Sequence, residues 1–280
     1  MLALKLPGYH AQHIETDERI YWSLAENWIE SRTYTLRGTE ILDLLPPSMY
    51  DKPLFHHPPM LTFLLIPFAS MEASQAAIAV SWIGHFAAVI GIALIAWAWR
   101  PAGRRSLDFL LWLPVLAMAV DPVFSFAGRK IWPDTLVGGF GAVAIGACAL
   151  GIRSDRGGWL LAGGAFAAFA GLSKLTGLLI VPIGIIAILL SPGNARHRAA
   201  RCLAFVAPCA VLMAPWFWMF FREYGQCLPA WIQPDAEVLA ANPHLARAFG
   251  RPFGFYAYEL LMASPVAGVC LAAACIGAGF

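Results

Sequence analysis

The sequence predicts an all-α, polytopic membrane protein, and three observations lead to this class. First, 59% of the 280 residues are hydrophobic and 13% are charged, whereas soluble domains carry about 25% charged residues. Second, the chain contains seven apolar runs of near-membrane length. Third, the short loops between these runs are rich in arginine. A soluble globular protein, a disordered chain and a disulfide scaffold are excluded, and a net charge of +2 gives no reason to expect nucleic acid as a partner.

The seven runs are each long enough to cross, or almost cross, a hydrocarbon core of about 30 Å. They cover 75–99, 109–127, 135–152, 157–173, 175–190, 202–221 and 260–280. An eighth run, 58–71, has the length of an interfacial or re-entrant segment. We therefore predict an extracytoplasmic first loop over 1–58 and a transmembrane bundle over 59–280. The two termini lack the expected flanking segments, which predicts a fragment without its first helix and its C-terminal region.

Charge in the loops predicts the sidedness. One set of short loops holds eight basic residues and two acids, so the positive-inside rule assigns it to the cytoplasm. The basic residues are Arg100, Arg104, Arg105, Arg153, Arg156, Arg196, Arg198 and Arg201. Alternation of the spans then places the first loop, the 129–134 connection, Lys174 and the 222–251 loop together on the extracytoplasmic face.

Asp17 and Glu18 are the first candidate site residues. They begin a segment whose apolar residues recur at helical spacing: Tyr21, Leu24, Ala25 and Trp28. The pattern predicts an amphipathic helix on the outer membrane surface, anchored by aromatic side chains. A structural role competes with a chemical one, because aspartate is a favoured N-cap residue and acids stabilise a first helical turn.

His56 and His57 stand directly before two prolines, which favour the first turn of a helix. We expect that helix to begin right after the histidines and to present them at its N-terminus, where anions are favoured. The structural alternative is a stiff turn with exposed histidines. A metal site that adds His10 and His13 is a weaker alternative, since HxxH alone is an unspecific pattern.

Arg129, Lys130 and Asp134 lie between two predicted spans, where charges are costly without partners. The alternative is that Arg129 and Lys130 snorkel to the interface beside Trp132. Asp134 is harder to explain this way because aspartate has no long aliphatic stem.

Lys174 is the one charged residue between 157 and 195, at the outer end of a predicted helical hairpin. Its ammonium is suited to hold a phosphate as a point charge. The structural alternative is that the lysine only marks the turn between two helices. Combined with the acids and histidines assigned to the same face, it suits the transfer of a group from a phosphorylated lipid.

The order of these motifs resembles that of the GT-C glycosyltransferases. It comprises Asp17-Glu18 in an amphipathic helix, the His-Pro-Pro-Met of 57–60, Asp134, the Gly-Leu-Ser-Lys ending at Lys174, and then Pro-Trp and Tyr-Gly. The likeness runs from Thr16 to the C-terminus and is greatest to the bacterial branch related to protein O-mannosyltransferases, aminoarabinose transferases and lipopolysaccharide sugar transferases. It implies a GT-C-like bundle with an outer juxtamembrane helix.

The resemblance also implies an activity and a site. Such enzymes move a sugar from a polyprenyl-phosphate donor to a lipid, glycan or protein acceptor at the extracytoplasmic face of a cell membrane. Asp17 matches the catalytic base with Glu18 beside it, and Asp134 matches the second-loop acid. The expected substrate-binding residues are His56, His57, Arg129, Lys130 and Lys174.

We expect an inverting reaction without a covalent sugar–enzyme intermediate, in the inner membrane of a bacterium. No cofactor is expected, since the chain has no phosphate-binding glycine loop for a nucleotide, and no divalent metal is expected either. Two other functions stay open. A transporter or lipid flippase would hold charges in mid-span, where the best candidate is His85. A non-catalytic glycolipid-binding subunit would tolerate the loss of Asp17.

Overall fold

The computed structural model describes residues 16–39, 51–55, 57–100, 113, 116 and 130–225. Every regular element in this part of the chain is a helix. The α-helices are α1 (Thr16–Ser31), α2 (Met60–Leu65), α3 (Ala73–Trp99), α4 (Asp134–Ser154), α5 (Gly157–Ser173), α6 (Ile180–Leu190) and α7 (Ala195–Tyr224). Two 3-10 helices, Ile66–Phe68 and Leu175–Leu179, extend α2 and precede α6.

Three of these helices, α3, α4 and α7, are long and apolar enough to cross a membrane. Two shorter apolar helices cover Gly157–Ser173 and Leu175–Leu190. Together they correspond to five of the seven predicted spans. The run 260–280 lies outside the described residues, as does all of 109–127 except Leu113 and Leu116, which are helical. The predicted all-α membrane class is confirmed. Within the run 58–71, the helical part is Met60–Leu65 with Ile66–Phe68, and its interfacial or re-entrant placement stays a prediction.

Glycines bring α3 and α4 into close contact. A Cβ atom added to Gly139 would lie 2.1 Å from the carbonyl oxygen of Gly84. Further along the pair, a Cβ atom on Gly91 would lie 2.3 Å from the carbonyl carbon of Ala142, and one on Gly146 would lie 2.7 Å from the carbonyl oxygen of Gly91. Only glycine permits such approach of two backbones, and close packing of this kind is a main source of helix association in lipid.

Helix α5 packs against both α4 and α7. Two residues, Asp155 and Arg156, separate α4 from α5, so the two helices run in opposite directions. At the α5–α7 contact, a Cβ atom on Gly164 would lie 1.8 Å from the carbonyl oxygen of Phe205. Pro208 and Pro215 lie inside α7, where each removes one backbone hydrogen bond from the helix.

The alternating helices give the bundle two ends. One end contains the start of α4 and the ends of α5 and α7. We call it the paired end, because the ion pairs Glu18–Lys130 and Asp134–Lys174 lie there. The arginine end contains the ends of α3, α4 and α6 and the start of α7. Its arginines are Arg100, Arg153, Arg156, Arg196, Arg198 and Arg201.

Helix α1 packs across the paired end. Its buried face consists of Ile20, Tyr21, Leu24 and Ala25, while Arg19 and Ile29 are exposed. Tyr21 and Ala25 join the core of the bundle with Leu61 of α2 and Ile131. Ile20 and Leu24 form a second cluster with Tyr34, Leu36 and Leu54. The predicted amphipathic helix is therefore present, and its apolar face is covered by protein.

Candidate functional site at the paired end

Glu18 and Lys130 form a buried ion pair that fastens α1 to the segment before α4. The Nζ–Oε2 distance is 3.5 Å, and the two side chains are 6% and 5% exposed for lysine and glutamate respectively. The other carboxylate oxygen of Glu18 accepts a hydrogen bond of 2.7 Å from the backbone N–H of Ile131. Lys130 also lies 5.9 Å from the centroid of the Trp132 ring. The snorkelling interpretation is therefore wrong for Lys130, whose ammonium is enclosed with a carboxylate.

Asp134 and Lys174 form a second pair that solvent can reach. The Nζ–Oδ1 distance is 2.9 Å, and the side chains are 40% exposed for lysine and 51% for aspartate. Asp134 lies in the first turn of α4, and Lys174 directly follows α5. The negative charge thus lies at the N-terminus of a helix and the positive charge at the C-terminus of another, as the helix dipole favours. Besides marking the turn after α5, the lysine binds a carboxylate forty positions away in the sequence.

The two pairs are neighbours. Lys130 and Asp134 are four residues apart, which limits the separation of their Cα atoms to about 14 Å even in a fully extended chain. One end of the bundle thus holds a buried lysine–carboxylate pair beside a half-exposed one.

His57 lies in the turn that leads into α2. Its ring meets the ring of Tyr21 edge-on, with centroids 5.0 Å apart, and its backbone carbonyl accepts a hydrogen bond of 3.1 Å from the hydroxyl of Tyr34. Tyr34 also lies 3.2 Å from the hydroxyl of Thr62. Burial raises the pKa of Tyr34 far above its usual value, with the Thr62 contact acting weakly in the opposite direction. The phenol therefore stays neutral and fixes the His57 turn.

Lys52 and Tyr224 complete this end, although sequence reasoning left both outside the predicted site. The Tyr224 hydroxyl donates to the carbonyl of Pro53, and the Lys52 ammonium lies 5.8 Å from the centroid of the Tyr224 ring. The contact joins the last residue of α7 to the segment before His57. The only advance signal was the Tyr-Gly pair at the end of an apolar run.

The structure brings together five of the eight predicted site residues: Glu18, His57, Lys130, Asp134 and Lys174. Asp17 is the second residue of α1, in its first turn, and its side chain lies outside the described part. His56 and Arg129 also lie outside the described residues. Among the described residues, no group of three histidine, cysteine or acidic side chains is arranged to hold a metal ion.

The arginine end uses its charges differently. The guanidinium of Arg201 is buried and donates to Asp155 at 2.8 Å, to the Ser191 hydroxyl at 3.0 Å and to the Pro192 carbonyl at 3.1 Å. His197 approaches the same Asp155 oxygen at 3.0 Å. The hydrogen bond from Arg201, together with the electrostatic interactions with His197 and Arg201, lowers the pKa of Asp155 below its usual value.

The side chain of Arg153 caps the C-terminus of α3. Its guanidinium donates to the carbonyls of Ala98 and Arg100, the latter at 2.6 Å. These carbonyls belong to a helix terminus that has no partners of its own.

Fold and charge distribution define an all-helical membrane protein with an ionisable site at one end of its bundle. No family model, no curated protein and no solved structure matches the chain.

Proposed function

We propose that the protein is an integral-membrane glycosyltransferase that moves a sugar from a polyprenyl-phosphate donor to an acceptor hydroxyl on the extracytoplasmic face, with its site at the paired end. The observation that carries the proposal is the convergence of two lysine–carboxylate pairs and His57 beside the helix whose first turn contains Asp17. Transfer from a lipid phosphate requires a base for the acceptor and cations for the departing phosphate, and both kinds of group are present there.

The distribution of charge along the helices supports a site at the membrane boundary. In the described apolar helices, every acid and every lysine or arginine lies within the first two or last two turns. A transporter places such groups near the bilayer midplane instead. His85, the mid-span candidate, is buried with its Nδ1 2.9 Å from the Ser81 carbonyl in the preceding turn, as expected for a histidine that packs within a helix bundle.

Lys174 is the cation best suited to the donor phosphate. Its ammonium has three donor hydrogens, and Asp134 accepts one of them. The side chain is 40% exposed, so an incoming phosphate reaches the remaining hydrogens without first breaking a buried contact. The lipid tail of the donor would stay in the bilayer while its phosphate binds at the helix ends.

Lys130 and Glu18 have a positioning role in this proposal. Both side chains are almost fully enclosed, so neither is open to a substrate. Their ion pair and the Ile131 hydrogen bond hold α1 against the start of α4. Because Asp17 precedes Glu18 on the same helical turn, this anchor fixes the backbone of the proposed base relative to Lys174 and Asp134.

Asp17 acts as the general base. Its carboxylate accepts the proton of the acceptor hydroxyl while the hydroxyl oxygen attacks the anomeric carbon. The bond between that carbon and the phosphate oxygen breaks, and the polyprenyl phosphate leaves as an anion that Lys174 stabilises. A single displacement of this kind inverts the anomeric configuration.

Transfer of labelled sugar from polyprenyl-phosphate donors to acceptors in membranes tests the proposal. We expect Asp17→Asn to lower the rate by about 10² or more, the usual contribution of a general base. Glu30→Gln is the matched control, since Glu30 is an exposed acid near the other end of α1. Wild-type transfer by Asp17→Asn at equal protein level would remove the base from the mechanism. Absence of transfer from every donor would contradict the proposed activity.

A further inference from the structure

A groove in the side of the bundle, next to the arginine end, has no role in the proposed reaction. It has a volume of about 440 Å³ and lies between the last turn of α3, the second half of α4 and the length of α6, with the buried Phe205 of α7 in its lining. This volume falls in the range of about 300–1,000 Å³ that is usual for ligand sites. Its lining includes Ile145, Cys148, Ile152, Ile183, Ala187 and Leu190.

The open side of the groove faces outward from the helices. Ile183 is 52% exposed, Leu190 is 81% exposed and Trp99 is 77% exposed, so the apolar lining continues into the surface that a membrane would cover. Trp99 lies at the end of α3, and tryptophan is enriched at the boundary between hydrocarbon and headgroups. Access from the bilayer fits this exposed apolar lining, and the tryptophan beside the arginine-side mouth fits a position at headgroup depth.

The charge at this mouth selects the ligand. Arg153 lines the groove, and its exposed guanidinium uses two of its five donor hydrogens on backbone carbonyls. Six arginines belong to this end, against Asp155 as the one acid of its described part. Asp155 already serves Arg201 and His197, so within the described residues Arg153 has no carboxylate partner.

We propose that this groove binds an anionic phospholipid of the leaflet at the arginine end, with one acyl chain against the apolar lining and the phosphate on Arg153. Basic pockets between membrane helices favour anionic headgroups, and arginine binds phosphate through paired hydrogen bonds. A zwitterionic lipid would fill the groove equally well but would leave the positive charge of this end uncompensated. The proposed phosphate position at Arg153 lies nineteen residues along α4 from Asp134, about 28 Å at the helical rise, and it does not depend on the proposed transferase activity.

Thermal unfolding of the purified full chain in a neutral detergent tests this proposal. Phosphatidylglycerol and phosphatidylcholine with the same acyl chains are titrated separately, and tryptophan fluorescence reports the unfolding temperature. We expect phosphatidylglycerol to raise the Tm well above the value reached with phosphatidylcholine, because a ligand that binds only the folded state stabilises it. Glycerol phosphate, which has no acyl chain, should leave the Tm unchanged.

Two variants separate the chain contact from the phosphate contact. Ala187→Trp fills the groove, and Arg153→Gln removes the phosphate donor. Each should weaken phosphatidylglycerol binding by about tenfold or more, the effect of losing one charge-assisted hydrogen bond or the chain contact. The controls are Ala210→Trp, at an exposed alanine of α7 away from the groove, and Arg196→Gln, at an exposed arginine of the same end. Both should bind like the wild type.

Several outcomes would overturn the proposal. Equal stabilisation by the two lipids would mean that the headgroup charge is not recognised, and an equal effect of glycerol phosphate would point to a soluble anion. Equal weakening by Arg196→Gln and Arg153→Gln would indicate a diffuse charge effect. Should Arg153→Gln fail to fold because the end of α3 loses its contacts, Ala187→Trp still decides, and wild-type affinity in that variant would exclude the groove.

Discussion

At the paired end, Lys130 and Lys174 each meet one carboxylate, whereas in the described part of the arginine end Asp155 is shared and most guanidinium contacts go to backbone carbonyls. A lysine ammonium is a compact charge on a flexible stem, and an arginine is a rigid fork of several donors. The half-exposed Lys174 has room to accept a second oxygen partner beside Asp134. The arginines fasten several helix ends at once, which suits a permanent structural joint.

The paired end itself contains two different situations. The Glu18–Lys130 pair is enclosed and the Asp134–Lys174 pair is half-exposed. Removing one member of a buried pair strands a charge in a poorly solvated place, while water compensates for the loss of an exposed partner. The contrast divides the four residues into an enclosed pair and a solvent-accessible pair, and mutational stability measurements can separate the two.

The largest loss of stability is expected from Lys130→Met, which leaves the Glu18 carboxylate buried without its cation. Loss of one partner of a buried pair costs about 3–5 kcal/mol. The free energy of unfolding in a detergent titration measures it. The matched control is Arg37→Gln, whose pair with Asp51 spans 3.6 Å with both side chains 78% exposed, and its effect should stay within about 0.5 kcal/mol. Equal effects of the two variants would abolish the distinction between buried and exposed pairs.

The double variant Glu18→Gln with Lys130→Met should recover part of this loss, since it removes both charges together. Additive losses in the double variant would contradict the direct coupling of Glu18 to Lys130.

A smaller loss of stability is expected from a substitution at the glycine contact between α3 and α4. Gly139→Ala pushes a methyl group against the backbone of Gly84, and overpacking of this kind costs about 1–3 kcal/mol. Gly158→Ala is the control, because a Cβ atom there meets nothing within 4 Å, and alanine should be neutral or slightly stabilising in a helix. The same unfolding titration measures both, and tolerance of Gly139→Ala would disprove the close backbone approach.

At the arginine end, stability should depend on acid pH through Asp155. Its folded-state pKa is lowered from the usual 3.8, first by the Arg201 hydrogen bond. A lowered pKa contributes stability that is fully present above the unfolded value and is lost as the pH falls through the folded value. The wild type should therefore be more stable than Asp155→Asn near neutral pH and should lose this difference in stability below about pH 4. Parallel curves of unfolding temperature against pH for the two proteins would contradict this linkage.

The smallest effect on stability is expected at the half-exposed pair. Asp134→Asn and Lys174→Gln should each change the free energy of unfolding by about 1 kcal/mol or less. Under the proposed function, Lys174→Gln should nevertheless raise the KM for the lipid-phosphate donor, because it removes the cation proposed for the phosphate. A joint measurement of stability and KM distinguishes this role from a structural one. A large loss of stability with an unchanged KM would assign the pair to the scaffold.

Much of the fold could be predicted because membrane length and hydropathy restrict the choice of structure. The predicted run 135–152 matches α4 within two residues at each boundary. The predicted run 202–221 lies inside α7, which extends further at both ends. The extension before residue 202 carries Arg196, Arg198 and Arg201, so a boundary drawn at the last charged residue places the start of this helix seven residues too late. Local patterns also gave α1, whose apolar spacing is strictly helical.

The site was less accessible to sequence reasoning. Its residues could be chosen by type and position, but the partners could not, because Glu18 and Lys130 are 112 positions apart and Asp134 and Lys174 are 40 apart. A lysine beside an interfacial tryptophan has the same local sequence whether it snorkels or is buried. The carboxylate that keeps Lys130 buried is Glu18 of α1, and only the tertiary packing of α1 brings it beside the lysine.

The hydrogen bonds of Arg153 carry a consequence for biogenesis. The last carbonyls of α3 are satisfied by a side chain near the end of α4, more than fifty residues later in the chain. During synthesis α3 is made before α4. The carbonyls of Ala98 and Arg100 therefore lack the Arg153 donor until α4 lies beside α3. The Arg153 contacts at the terminus of α3 therefore form only when the glycine contacts have brought α4 alongside, and a packing event late in the sequence completes a helix made early.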